Sequence, residues 1–61
     1  MPVVNVNLVE GRTEEQKRQI VKGITEVLVK EAEAKPESVT IIFNDLKGHD
    51  LGKGYDLFKD L

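Results

Sequence analysis

Two short runs of alternating, largely β-branched residues, separated by one long helical stretch, constrain this 61-residue chain more than any other feature. In the first run, PVVNVNLV, Pro2, Val4, Val6 and Leu8 fall on one side and Val3, Asn5, Asn7 and Val9 on the other. A period of two with this much valine specifies a strand. In the second run, SVTIIFND, Val39, Ile41 and Phe43 alternate with Thr40, Ile42 and Asn44 in the same way. Between them the period changes. Gly11 supplies a flexible turn, and Thr13 stands three residues before Gln16, the spacing of a capping box. Glu14 and Glu15 follow where the helix dipole favours negative charge. Ile20, Val21, Ile24, Val27, Leu28 and Ala32 then recur at three- and four-residue spacing, an apolar stripe of roughly five turns. Gly23 weakens the helix by about 1 kcal/mol relative to alanine. Pro36 closes it, because the residue before a proline avoids helical angles.

Strand, helix and strand in that order make a βαβ unit with parallel strands and a right-handed crossover. The expected fold class is therefore α/β (α+β), with one long helix on one sheet face. The other face is left bare, and two parallel strands bare on one side do not persist in water. It is expected to pack on the sheet of another protomer. Chain length points the same way. A chain this short buries only about 60% of the surface its unfolded form exposes, and the usual remedies are disulfides, a structural metal or oligomerisation. With no cysteine and a single histidine, His49, the first two are excluded. After Asp45 the pattern gives way to LKGHDLGKGYDLFKDL, where Gly48, Gly52 and Gly54 mark a loop or small hairpin. The apolar Tyr55, Leu57, Phe58 and Leu61 are expected to wrap onto a neighbour. No repeat or linker interrupts the chain, so residues 1–61 read as one domain.

Composition narrows the function classes. The net charge of -2 and the lack of a basic stripe argue against nucleic-acid binding. No apolar run approaches the roughly 20 residues of a membrane helix, and no charged segment leads into an apolar one as in a secretory signal. The expectation is a cytoplasmic protein, with no nucleic-acid or membrane partner. His49 reads as a surface residue, and Glu14, Glu15, Glu26 and Glu31 as a solvated helix face. GHDLGKG lacks the spacing of a phosphate-binding loop.

Proline at the head of a paired strand raises a separate question, since it has no amide hydrogen to donate to a sheet. Either Pro2 merely begins an edge, or its nitrogen has another use. Removal of Met1, which a small second residue permits, would make Pro2 a free secondary amine. Aliphatic surroundings disfavour its charged form and bring it toward neutrality, where general acid–base catalysis is most efficient.

At these residues the sequence resembles the 4-oxalocrotonate tautomerase family. The resemblance is carried by the proline-led strand, by EGRT-EQK into the helix, by P-SV-I at the entry to the second strand, and by KGH before a glycine-containing tail. It implies a cofactor- and metal-free isomerase acting on 2-hydroxydienoates or unsaturated 2-oxo acids, assembled as a homohexamer. Pro2 would be the catalytic base and acid. Arg12 would hold the substrate carboxylate, for which a guanidinium fork is suited, and Val9 would form an aliphatic pocket wall. Two positions depart from the family pattern. Thr40 stands where the family has a second arginine, and Asp50, or with a shifted gap Leu51, stands where it has a loop aromatic. An aspartate beside Pro2 would favour its protonated form, and Lys53 is a candidate for the missing positive charge. Two alternatives follow from these departures: a proline-dependent hydratase or dehalogenase of unsaturated acids, and a non-catalytic partner subunit of a mixed oligomer whose sister chain supplies the arginine.

Overall fold

The computed structural model describes residues 1–61. Strand β1 (Val3–Val9) is followed by helix α1 (Glu14–Ala32), a single 3₁₀ turn (Pro36–Ser38) and strand β2 (Thr40–Leu46). The two strands pair in parallel with Val3 opposite Thr40, Val6 opposite Phe43 and Val9 opposite Leu46. The chain is thus the expected βαβ unit. The strand boundaries differ slightly: β1 starts one residue later than expected, and β2 starts two residues later and ends one later, at Leu46. Pro2 lies just outside β1, contributing only its carbonyl, while Ser38 belongs to the turn before β2 and Val39 caps that turn, its N–H donating to the Pro36 carbonyl.

The helix starts as its sequence dictates. The Thr13 side chain accepts from the Gln16 N–H at 3.1 Å, and the Gln16 side chain accepts from the Thr13 N–H at 2.8 Å. Its end is set earlier than Pro36. Glu33 adopts the left-handed conformation at φ 54°, and the Glu33 and Ala34 N–H groups both turn back to the Leu28 carbonyl. This is the helix stop usually given to glycine, so the sequence offered no marker for it.

Helix α1 lies over the face of the sheet that carries Val4, Val6, Leu8, Ile41 and Phe43, and Ile20, Ile24 and Leu28 are its half-buried residues toward that layer. The stripe is narrower than its spacing suggests: Val21, Val27 and Ala32 are exposed, Val27 by 58%. Lys17 ties helix to sheet, its Nζ 2.6 Å from Asp45 on β2 and 5.7 Å above the Phe43 ring. The opposite face has no cover, and Val3 and Ile42 there are 51% and 43% exposed. None of the 61 residues is buried.

Beyond Leu46 the chain forms a separate arm. A 3₁₀ turn (Gly48–Asp50), strand β3 (Gly52–Lys53), strand β4 (Asp56–Leu57) and a final turn (Phe58–Asp60) close on one another. The Phe58 N–H donates to Leu51 at 2.7 Å. Gly48 permits the two turns to approach, since a Cβ there would sit 3.0 Å from that of Lys59. Tyr55 at the hairpin tip is fully exposed. The arm elongates the molecule to 41 × 24 × 14 Å, with a radius of gyration of 14.5 Å, where a compact domain of this length has about 10.5 Å. No helix is long and apolar enough to cross a membrane.

Candidate active site

The candidate residues fall into two groups at opposite ends of the parallel sheet. At the entry end, the Thr40 N–H donates to the Pro2 carbonyl at 3.0 Å, extending the ladder one step past Val3. Both residues are half-buried. The sheet thus takes the carbonyl of Pro2 and leaves its nitrogen outside the hydrogen-bond ladder. This resolves the puzzle of a proline leading a paired strand: the group it lacks is one that the ladder does not require. Thr40 meets Pro2 through its backbone, while by register its side chain shares the uncovered face with Val3 and Ile42.

At the exit end, Glu10 donates its N–H to Leu46 at 2.8 Å and the chain turns through Gly11, whose φ of 122° suits glycine alone. Arg12 is folded back by this turn so that Nη1 donates to the Val9 carbonyl at 3.1 Å. Thr13 then caps α1. Arg12 is exposed and uses only this one donor within the chain, leaving the rest of its fork free for an anion. It borders an open concavity of about 420 Å³ lined with Thr13, Glu15, Gln16, Gln19 and Ile20. A second concavity, of about 470 Å³, lies on the far side of the helix around Val21, Val29 and Pro36. Neither includes Pro2.

Seven strand steps of about 3.3 Å separate Pro2 from Val9, roughly 23 Å. Within one protomer, therefore, Arg12 and Val9 sit together while Pro2 and Thr40 lie a strand length away. Asp50 and Leu51 belong to the arm, which leaves the sheet from the Val9 end. Asp50 is exposed, with His49 at 3.5 Å, and Leu51 is half-buried, its carbonyl accepting from the Phe58 N–H. Lys53 is paired across the hairpin with Asp56. Sequence reasoning did not find Lys17 and Asp45, whose bond joins residues far apart in the chain and leaves no periodic trace. No group of His, Cys, Asp and Glu is arranged to hold a metal ion.

A βαβ protomer with a proline at the head of its first strand and an arginine in the turn that leaves it defines a class, and comparison with known proteins agrees. The chain belongs to the tautomerase enzyme family, which it matches over residues 2–60. It is 48% identical over 59 residues to a probable tautomerase of Lactococcus lactis subsp. lactis, covering 97% of both chains. A probable tautomerase of Listeria monocytogenes is 39% identical over 54 residues, 88% of each chain. Among solved structures, a 4-oxalocrotonate tautomerase isozyme from Methylibium petroleiphilum superposes with a TM-score of 0.91 at 36% identity, covering 97% of this chain and 92% of its own. The protein is an isomerase of the 4-oxalocrotonate tautomerase type.

Proposed function

We propose that this protein interconverts 2-hydroxydienoates or related enols with unsaturated 2-oxo acids, using Pro2 as the proton carrier once Met1 is removed. The observation that carries this reading is the placement of Pro2, whose carbonyl is held by Thr40 while its nitrogen is not needed by the sheet. As a free secondary amine, that nitrogen takes the proton from the substrate hydroxyl or an acidic carbon. It returns the same proton to another carbon of the conjugated system, so no other reactant is consumed. In the dienolate between these steps, negative charge spreads toward the carboxylate end, where a guanidinium stabilises it more than it does the substrate.

The guanidinium that faces Pro2 belongs to a different copy of the chain, because Arg12 of the same protomer is roughly 23 Å away. A homo-oligomer in which the Pro2 end of one sheet meets the Arg12 end of another meets this requirement. It also supplies the burial that the protomer lacks, and the homohexamer implied by the sequence resemblance is one such assembly. Val9 would enter the same pocket with Arg12, and the arm would bring Leu51 or Asp50 of a neighbour.

The test is ketonisation of a simple enol such as phenylenolpyruvate by protein whose intact mass shows Met1 removed. Pro2→Ala is expected to lower kcat by about 10² to 10⁴, the usual contribution of a positioned acid–base group. A Pro2→Ala protein as active as the parent, or full activity in material that quantitatively retains Met1, contradicts the proposal.

A further inference from the structure

Arg12, the cation proposed to hold the substrate carboxylate, stands among acids. Glu10, Glu14 and Glu15 all lie within three residues of it. None of them is bonded to it: Nη1 donates to the Val9 carbonyl, and the guanidinium takes part in no ion pair. Of the three, Glu15 alone lines the same concavity as Arg12.

Both oxygens of Glu15 are engaged along the helix instead. Oε1 accepts from Gln19 Nε2 at 3.0 Å, and Oε2 accepts from Arg18 Nη1 at 3.2 Å. Arg18 also donates from Nη2 to Glu14 at 2.6 Å, so one guanidinium answers both carboxylates of the first turn. Residues three and four apart are neighbours on a helix surface. The sequence thus gives Glu15 two partners on α1, and Arg12 keeps its fork.

We infer that Arg18 and Gln19 are positioning residues for substrate capture, holding Glu15 away from Arg12 so that its guanidinium stays open to a carboxylate. A guanidinium fork takes a carboxylate of either origin. A released Glu15 would therefore be an internal rival of the substrate. It would occupy Arg12 in the free protein only, because bound substrate displaces it. The fraction of binding-competent protein falls, so KM rises while kcat stays. Arg18 and Glu15 are 59% and 65% exposed. Ion pairs between groups this exposed are weak, and the expected rise in KM is roughly twofold to fivefold. The inference rests on the proposed role of Arg12 and adds residues that never touch the substrate.

Steady-state ketonisation of phenylenolpyruvate tests it. Arg18→Ala is expected to raise KM about twofold to fivefold and to leave kcat unchanged. Because Arg18→Ala also removes a positive charge, two double variants of equal net charge separate that loss from the release of Glu15. Arg18→Ala with Glu15→Gln should return KM to the parent's value. Arg18→Ala with Glu14→Gln leaves Glu15 free and should keep KM raised. Equal rescue by the two, or an Arg18→Ala protein with the parent's KM, overturns the inference. Arg12→Ala distinguishes its failure from that of the underlying reading. A loss of kcat/KM in Arg12→Ala beside an unaltered Arg18→Ala sinks this inference alone, whereas an unaltered Arg12→Ala sinks the role of Arg12 and the inference with it. Should the parent not ketonise the enol, titration calorimetry with phenylpyruvate on the same proteins decides. The dissociation constants should then follow the same order, and no binding by the parent overturns the inference.

Discussion

The two ends of the parallel sheet are held by different kinds of interaction. The Arg12 end is built locally: Gly11 makes the turn, Arg12 bonds back to Val9, and Thr13 and Gln16 cap the helix reciprocally, all within a few residues. At the Pro2 end, the carbonyl of Pro2 accepts a backbone bond from Thr40, a residue more than half the chain away. Arg12, the proposed substrate-binding cation, is thus positioned by its immediate sequence. Pro2, the proposed base, is positioned only when β2 pairs in the right register, and a one-residue slip would turn every side chain of the strand to the other face. Under the proposed mechanism, the roughly 23 Å between these ends requires a pocket shared between copies of the chain.

Breaking the base end should have the largest effect. Pro2→Ala is expected to lower kcat by about 10² to 10⁴ while leaving the unfolding curve and assembly mass unchanged; steady-state kinetics beside sedimentation separates the two. Breaking the cation end should cost less. Arg12→Ala removes a charged hydrogen-bonding group worth about 1.5–3 kcal/mol, so kcat/KM toward a carboxylate substrate should fall by roughly tenfold to a hundredfold. Arg12→Lys should recover part of the loss only, since the planar fork is gone. An Arg12→Ala protein with unaltered kcat/KM would remove Arg12 from the reaction.

Stability variants sharpen the same contrast at smaller scale. Thr13→Ala deletes the cap next to Arg12 and is expected to destabilise the fold by about 1 kcal/mol in urea titration. Lys17→Met breaks the bond to Asp45, whose side chains are 25% and 42% exposed. Solvent screening keeps that loss below about 1 kcal/mol, and the variant's stability should depend less on salt than the parent's does.

How far the sequence disclosed all this follows the same division. The capping box, the turn at Gly11 and both strands are written in neighbouring residues, and the structure reproduces them almost to the residue. The left-handed stop at Glu33 has no glycine to announce it. The stripe through Val21 and Val27 is wider in sequence than the surface the helix covers, because a two-stranded sheet offers room for little more than Ile20, Ile24 and Leu28. Pro2 and Arg12 were legible as candidates, since each has an identifiable chemistry. Their separation was not, because it depends on which end of a parallel strand each occupies.

Mixing two impaired variants tests the central claim most directly. Pro2→Ala and Arg12→Ala chains, each impaired alone, are dissociated together and reassembled, and enol ketonisation is followed at a substrate concentration below KM. If each site takes Pro2 from one copy and Arg12 from another, random mixing leaves about a quarter of the sites with both groups intact. Activity should then return to about a quarter of the parent's. If both groups come from a single chain, no site is intact in the mixture, and mixed assemblies no more active than the Arg12→Ala chain alone would contradict the account.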